Sequence, residues 1–354
     1  MVRPSLPQPR GSTIPLTVVA GASGAGKGTL ARRFLLADHG RPVAVVLGEP
    51  GDTPVDSARV DAWLDYGLRL RNGNLCVGID GDVERGLQTL AAGGDGVHHV
   101  VVAAPSGVSL LRASGYAYMP GFSPCGRVLM LAAHDLARAL VERNTYELSA
   151  VTAQLRQADL CALNHVDRVA RGVVAELRAF IESVPTRARV LECERVGIPA
   201  ALLLGTEPTS APTHATFDSW SPDFVVESVP RRWWATQPRH DDDYRAWVLS
   251  MPDAVDAAQF RAWVDALPPT ILRGEGLVRL RHDPGRESIF RLCGARWWLT
   301  PRVLPADRRE AGGWLTLVGL AATRPLRRGA AAVADHPAPD AVTGTSTGPL
   351  ELAR

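Results

Sequence analysis

The chain has 354 residues, 46% of them hydrophobic and 21% charged, with a net charge of +2 at neutral pH. That length exceeds one ordinary core and predicts two domains with tails, and the near-neutral balance gives no reason to expect nucleic acid or an anionic membrane as partner. No apolar run reaches the roughly 18 residues of a membrane span, and five scattered cysteines suit reduced thiols better than a disulfide framework. Residues 1–14 read as a Pro-rich disordered lead without the apolar centre of a signal peptide, so a cytoplasmic location is expected.

Residues 16–20, Leu-Thr-Val-Val-Ala, form a short β-branched run of the kind that makes a buried parallel strand. A Gly-rich segment follows, then a helical stretch over 30–37. Further buried strands are expected at 42–47, 99–104, 128–132, 160–163 and 189–191. Helices are expected between them at 82–92, 135–141, 145–157 and 173–183. Strands alternating with helices predict an α/β domain with a doubly wound, mostly parallel sheet over residues 15–205. Residues 206–222, rich in Thr, Ser and Pro, read as a linker. A smaller α+β domain is expected over 223–326, with a helix at 256–267 and strands at 277–281, 289–292, 296–300 and 314–319. Residues 327–354 read as a disordered tail. His98 and His99 open a strand and read as surface or strand-edge residues, and Asp241, Asp242 and Asp243 read as a solvated acidic turn.

The segment Gly21-Ala22-Ser23-Gly24-Ala25-Gly26-Lys27 lies between the first strand and a helix. Glycines let the backbone curl so that successive N–H groups converge on phosphate oxygens, and the helix N-terminus adds its positive dipole end. This is a phosphate-binding loop in its expected context. Gly21, Ser23, Gly24, Ala25, Gly26, Lys27, Gly28 and Thr29 are therefore the expected contacts of a nucleoside triphosphate. Lys27 is the single lysine beside 38 arginines. Arginine is too bulky and planar to reach the β- and γ-phosphates from inside so tight a loop, so the one lysine stands where its compact ammonium is required. Gly28 occupies the position where Ser or Thr normally ligates Mg²⁺. Thr29, one residue later, is the remaining hydroxyl candidate.

Asn164-His165-Val166-Asp167 follows a short apolar strand. A carboxylate at Asp167 can accept both the N1–H and the 2-amino donors of guanine, which adenine lacks. GTPases use Asn-Lys-x-Asp here, and His165 takes the place of the lysine. The competing reading is a turn in which Asn and Asp cap a helix.

On these segments the chain resembles the CobW-like family of P-loop GTPases, cousins of the nickel-insertion GTPases of hydrogenase and urease, over roughly residues 15–320. The family's acidic segment after its second strand matches here at Glu49, Gly51 and Asp56, with Asp52 for a second Glu. Its Ser-Asn-Gly-Cys-x-Cys-Cys-x-x-x-Gly-Asp-Leu segment is similar to residues 71–83, where Asn72, Gly73, Gly81 and Asp82 keep the frame. Only Cys76 of the three cysteines survives, with Asn74 and Val77 at the other two places. In the C-terminal domain, residues 272–276 and Trp297, Trp298 and Trp314 fit the family, with Glu275 where Lys is usual.

The resemblance implies GTP and Mg²⁺ as cofactors, catalytic roles for Lys27 and Glu49, and Thr29 and Glu49 as Mg²⁺ ligands. It also implies Zn²⁺ or a similar ion as cargo, and a client protein or metalloenzyme as partner. The departures cut against parts of this. A lone Cys76 reads first as a partly buried thiol, although it could ligate a transition metal with help from Glu49, Asp52 or a histidine. The third strand ends Ala104-Pro105-Ser106-Gly107, where the family has Glu before Ser-Gly. With Gly28, that removes two Mg²⁺-handling groups and predicts weak or absent GTP hydrolysis. Two alternatives stay open: a nucleotide-stabilised interaction module without metal cargo, and a P-loop small-molecule kinase suggested by Gly-Lys-Gly-Thr.

Overall fold

The computed structural model describes residues 13–47, 59–64, 67–77, 83–92, 96–205, 244–251, 254–283, 285–303 and 313–320. Glu49, Asp52, Asp56, Gly81, Asp82, the 206–222 linker, the acidic turn at 241–243 and the tail from 327 lie outside them. The chain divides into two compact units: the first holds the described residues up to Gly205, the second most of those from Tyr244 onward.

Among the described residues the first unit has nine strands: β1 (Ile14–Gly21), β2 (Val43–Leu47), β3 (Val60–Leu64), β4 (Gly67–Leu70), β5 (Leu75–Val77), β6 (His99–Ala103), β7 (Phe122–Ala132), β8 (Leu160–Asn164) and β9 (Arg189–Cys193). They order as β3-β4-β5-β2-β6-β1-β7-β8-β9. From β5 to β9 every pairing is parallel, so the expected doubly wound sheet is present. Helices α1 (Lys27–Leu36), α2 (Val83–Ala92), α3 (Leu110–Ser114), α4 (Ala133–Val141), α5 (Thr145–Leu155), α6 (Arg171–Ser183) and α7 (Ala200–Leu204) form the connections. Leu16, Val18, Val100, Val102, Leu129, Leu131, Cys161 and Leu163 meet in one buried cluster with side chains from α2, α4 and α6. Both faces of the parallel strands are covered, which is why they read as continuous apolar runs rather than alternating ones.

Two features depart from the sequence reading. First, β3, β4 and β5 extend the sheet by an antiparallel edge that the sequence did not announce. These strands are three to five residues long and are interrupted by the turn at 71–74, where Gly73 adopts φ 87°. Gly67 is required there, because a Cβ would lie 2.0 Å from the Cys76 carbonyl oxygen. Second, His99 is buried rather than at a surface. The Thr17 hydroxyl donates to the Leu203 carbonyl at 2.7 Å, so at 3.0 Å it accepts from His99 Nε2.

Asn74, which stands at a cysteine position of the resembled motif, is also buried. Its amide nitrogen donates to the carbonyls of Phe34, Leu35 and Ala37 at 3.3, 3.0 and 2.9 Å, and its oxygen accepts from the Val43 N–H at 3.1 Å. Asn72 adds bonds to Leu35 and Ala37. Together they satisfy the orphan carbonyls at the C-terminus of α1 and the first donor of β2, which helix geometry leaves unpaired.

The second unit is a five-stranded antiparallel sheet, ordered β10-β14-β11-β12-β13. Its strands are β10 (Tyr244–Ser250), β11 (Ile271–Arg279), β12 (Arg286–Cys293), β13 (Arg296–Val303) and β14 (Trp314–Leu320), with α8 (Ala257–Asp265) between β10 and β11. Asp256 caps α8 by accepting from the N–H groups of Ala258 and Gln259. Phe260 and Val264 of α8 pack with Trp247, Val278, Phe290, Leu292, Leu315 and Leu317, and Phe290 meets Phe260 edge-on at 5.4 Å. Glu275 is buried and accepts from Arg291 Nε at 3.2 Å, so the residue that replaces the family's lysine is held in an internal ion pair.

Replacing Asn74 with alanine removes four hydrogen bonds at the α1–β2 junction and takes the carboxamide acceptor from the buried Val43 N–H, while the Phe34, Leu35 and Ala37 carbonyls keep bonds from His39 and Asn72. The expected loss is about 2 kcal/mol, read as a lower urea midpoint with an unchanged m-value.

Candidate functional site

The Gly-rich segment leaves β1 at the carboxyl edge of the sheet, where a strand-to-helix turn collects backbone N–H groups. Gly21, Gly24 and Gly26 have φ of 152°, 77° and 105°, all in the region that favours glycine. Gly26 is constrained twice over. A Cβ there would sit 2.6 Å from Asn164 Nδ2 and 2.8 Å from Val196 Cγ2. Helix α1 starts at Lys27 with Gly26 as its N-cap and no side-chain capping bond, which leaves its first-turn amides oriented for an anion.

The Lys27 side chain is buried and folds back over the loop. Its ammonium donates to the Gly21 carbonyl at 2.8 Å, the Ala22 carbonyl at 2.9 Å and Ser106 Oγ at 2.9 Å. These contacts hold the cation against the loop backbone and the segment that follows β6. Ser106 follows β6, the neighbour of β1, and Ala104 beside it donates its N–H to the Val19 carbonyl at 2.8 Å. The Ala104 methyl is packed into the core, so the acid expected at this strand end is replaced by an apolar contact.

The Asn164 carboxamide is fully buried at the end of β8. Its nitrogen donates to the Ala25 carbonyl at 3.0 Å and its oxygen accepts from the Val196 N–H at 2.9 Å. It therefore clamps the phosphate loop to the segment that follows β9, and the capping alternative for Asn164 gives way to a bridging role. His165 comes next with φ 63°, in the left-handed region, and opens a 3-10 turn at Val166–Arg168 that carries Asp167 on the surface. The His134 ring, from the start of α4, lies 5.8 Å from the His165 ring at a tilt of 54°. Strands β7 and β8 end in register at Ala132 and Asn164, which explains why these two imidazoles meet.

The structure thus brings Gly21, Ser23, Gly24, Ala25, Gly26 and Lys27 together with Asn164, and adds Ser106 and Val196, which the sequence did not single out as contacts. Gly28 and Thr29 are exposed in the first turn of α1. Glu49 lies outside the described residues.

Cys76 sits elsewhere. It is fully buried in β5, paired with Val45 of β2 and Leu68 of β4. Burial pushes its thiol up from 9.0 to about 12, so it is a neutral thiol within the core. Among the described residues no three His, Cys, Asp or Glu side chains converge on a common point.

The nucleotide-binding domain model described as CobW/HypB/UreG matches residues 15–192, half of the chain. The chain belongs to the CobW/HypB/UreG family. As a member of it, the chain carries the family's nucleotide-binding domain on the sheet and loop just described. It is 26% identical over 233 residues to a zinc chaperone CobW of Pseudomonas aeruginosa, covering 56% of this chain and 62% of that protein. It therefore spans less than two thirds of that relative's length. Among solved structures it is similar to the Zn(II)-bound YjiA GTPase of E. coli, at 18% identity and a TM-score of 0.43, over 87% of this chain and 95% of that one. It is also similar to the hydrogenase maturation factor HypB of Archaeoglobus fulgidus, at 17% identity and a TM-score of 0.30, over 51% and 81%. No helix among the described residues is long and apolar enough to cross a membrane.

Two outcomes follow from this geometry. Gly26→Ala forces a methyl onto Asn164 and Val196 in an unfavourable backbone conformation. Nucleotide affinity is expected to fall by at least about 100-fold, measured by calorimetric titration. The buried thiols of Cys76, Cys161 and Cys193 are each raised to about 12, mainly by desolvation. The native state therefore holds their protons more tightly than the unfolded chain does. The stability they contribute is complete below about pH 9 and is lost as pH rises towards 12, by roughly 1.4 kcal/mol per pH unit for each thiol. Denaturation midpoints between pH 8 and 11 test this.

Proposed function

We propose that this chain is a guanine-nucleotide-binding protein of the CobW-like type that works in metal delivery to, or activation of, a client metalloenzyme, with slow GTP hydrolysis. The observation that carries the reading is the Asn164 bridge. One buried carboxamide ties the phosphate loop to the strand end from which Asp167 is presented. This is the arrangement required for one nucleotide to be gripped by its phosphates and its base at once. In this reading Lys27 neutralises the β/γ-phosphate charge, the backbone N–H groups of residues 23–29 donate to the phosphate oxygens, and Asp167 selects guanine. GTP is the nucleotide and Mg²⁺ its counterion.

Mg²⁺ handling is reduced in this chain. Gly28 offers no hydroxyl and Ala104 no carboxylate, which leaves Thr29 and Glu49 as the candidate ligands. Phosphoryl transfer relies on positioning and on charge neutralisation around the metal, so hydrolysis is expected to be slow while binding is retained.

A second reading has its own support: a nucleotide-stabilised interaction module without metal cargo. Asn74 serves as a helix cap and Cys76 as a core thiol, so two positions of the resembled metal motif have structural work instead. Zn²⁺ titration with and without GTP separates the two. Stoichiometric, nucleotide-sensitive binding supports the chaperone reading, and its absence supports the module.

Calorimetric titration with GTP and ATP, with and without Mg²⁺, tests the nucleotide itself. GTP is expected to bind at least about tenfold tighter than ATP. Asp167→Asn removes that preference, and Lys27→Ala weakens both nucleotides by roughly 10- to 100-fold. Equal affinity for the two in the wild type refutes the role of Asp167. A Cβ at Gly28 meets nothing within 4 Å, so Gly28→Ser folds normally and is expected to raise Mg²⁺-dependent turnover.

A further inference from the structure

The segment after β9 turns sharply. The Gly197 N–H donates to the Glu194 carbonyl at 3.0 Å and the Ile198 N–H to the Val196 carbonyl at 2.8 Å. Arg195 and Val196 have φ of 47° and 63°, two consecutive left-handed residues of which one is β-branched. That conformation is costly for valine and persists only where surrounding contacts over-determine it. One contact is the Asn164 bridge. The other comes from α1: Arg33 Nη1 donates to the Arg195 carbonyl at 2.9 Å and, more closely still, to the Val196 carbonyl. Arg33 lies two turns into the helix that the phosphate loop opens, and Val196 is buried beside Gly26.

The register of the sheet makes this turn relevant to the base. Cys193 of β9 pairs with Asn164 of β8, so residues 194–198 and the 165–168 turn leave the sheet side by side. The geometry points to Arg33 as a positioning residue that holds the 194–198 turn against Asn164, so that the base-dependent part of nucleotide affinity rests on a side chain of the phosphate-loop helix. This builds on the nucleotide reading above but does not require the base to be guanine. The phosphates are held by the loop backbone and Lys27, which Arg33 does not contact in the structure. Burial pushes Arg33 below its ordinary value, in keeping with a partly desolvated guanidinium, whose bonds to carbonyls are stronger than those of a solvated one. The charge itself persists at any pH at which the protein folds.

The test compares inorganic tripolyphosphate with whichever of GTP and ATP the wild type binds more tightly, by competition titration against wild type, Arg33→Ala, Arg33→Lys and Val196→Gly. In Arg33→Ala the ratio of the two dissociation constants is expected to fall about tenfold, with tripolyphosphate affinity changed by less than about twofold. Arg33→Lys, which keeps the cation and most of the packing, recovers part of the ratio. In the Val196→Gly background the glycine adopts the left-handed turn unaided, so removing Arg33 costs clearly less there. Equal weakening of nucleotide and tripolyphosphate overturns the proposal, because Arg33 then supports only the helix. An unchanged ratio in Arg33→Ala overturns it too. If Arg33→Ala does not fold, Arg33→Lys decides: a full wild-type ratio with one donor geometry lost is a refutation. A wild type that prefers ATP sinks the role given to Asp167 and leaves the same ratio to judge Arg33.

Discussion

The Asn164 carboxamide is the joint on which the site depends. Its nitrogen and oxygen are spent on the Ala25 carbonyl and the Val196 amide, groups 139 and 32 residues away in the chain. A buried amide with both ends paired in this way resists rearrangement, because moving either segment strands a polar group without water. The phosphate loop, the end of β8 and the turn after β9 are thereby held as one surface. Gly26 belongs to the same constraint: its missing side chain is the space into which the carboxamide and Val196 close.

Around that joint the cations are divided by chemistry. Lys27, a point charge with three donors, reaches three acceptors inside the loop and on Ser106. Arg33, a planar fork, reaches the carbonyls of a neighbouring turn from the flank of the same helix. Exchanging the two would serve neither place. A chain that uses arginine almost everywhere keeps its one lysine at the position where a guanidinium does not fit.

The departures from the family frame are mutually consistent. Gly28 lacks a hydroxyl, Ala104 contributes a methyl to the core, Asn74 caps α1 and Cys76 is sealed between β2 and β4. At these four positions the side chain that the resembled family would turn towards a metal is missing, apolar, backbone-directed or buried. The Gly-rich loop, Lys27 and Asn164 are held together by the bonds described above.

The sequence alone determined the parallel sheet, because strands buried on both faces leave uninterrupted apolar runs between helical stretches. It also determined the phosphate loop, because that loop is made by consecutive residues whose backbone freedom is written in their glycines. Asn164 was legible as a candidate residue, but its hydrogen-bond partners were not. The edge strands β3 to β5 were missed because they are short and owe their existence to pairing across turns. His99 was misread because its partner, Thr17, lies 82 residues away on a neighbouring strand. Nothing marks Arg33 among 38 arginines, or Val196 among many valines. Their roles arise only when β8 and β9 end in register and bring a turn under the flank of α1. Local backbone chemistry can be read in order along a chain, whereas contacts between distant segments are decided by the packing that puts them side by side.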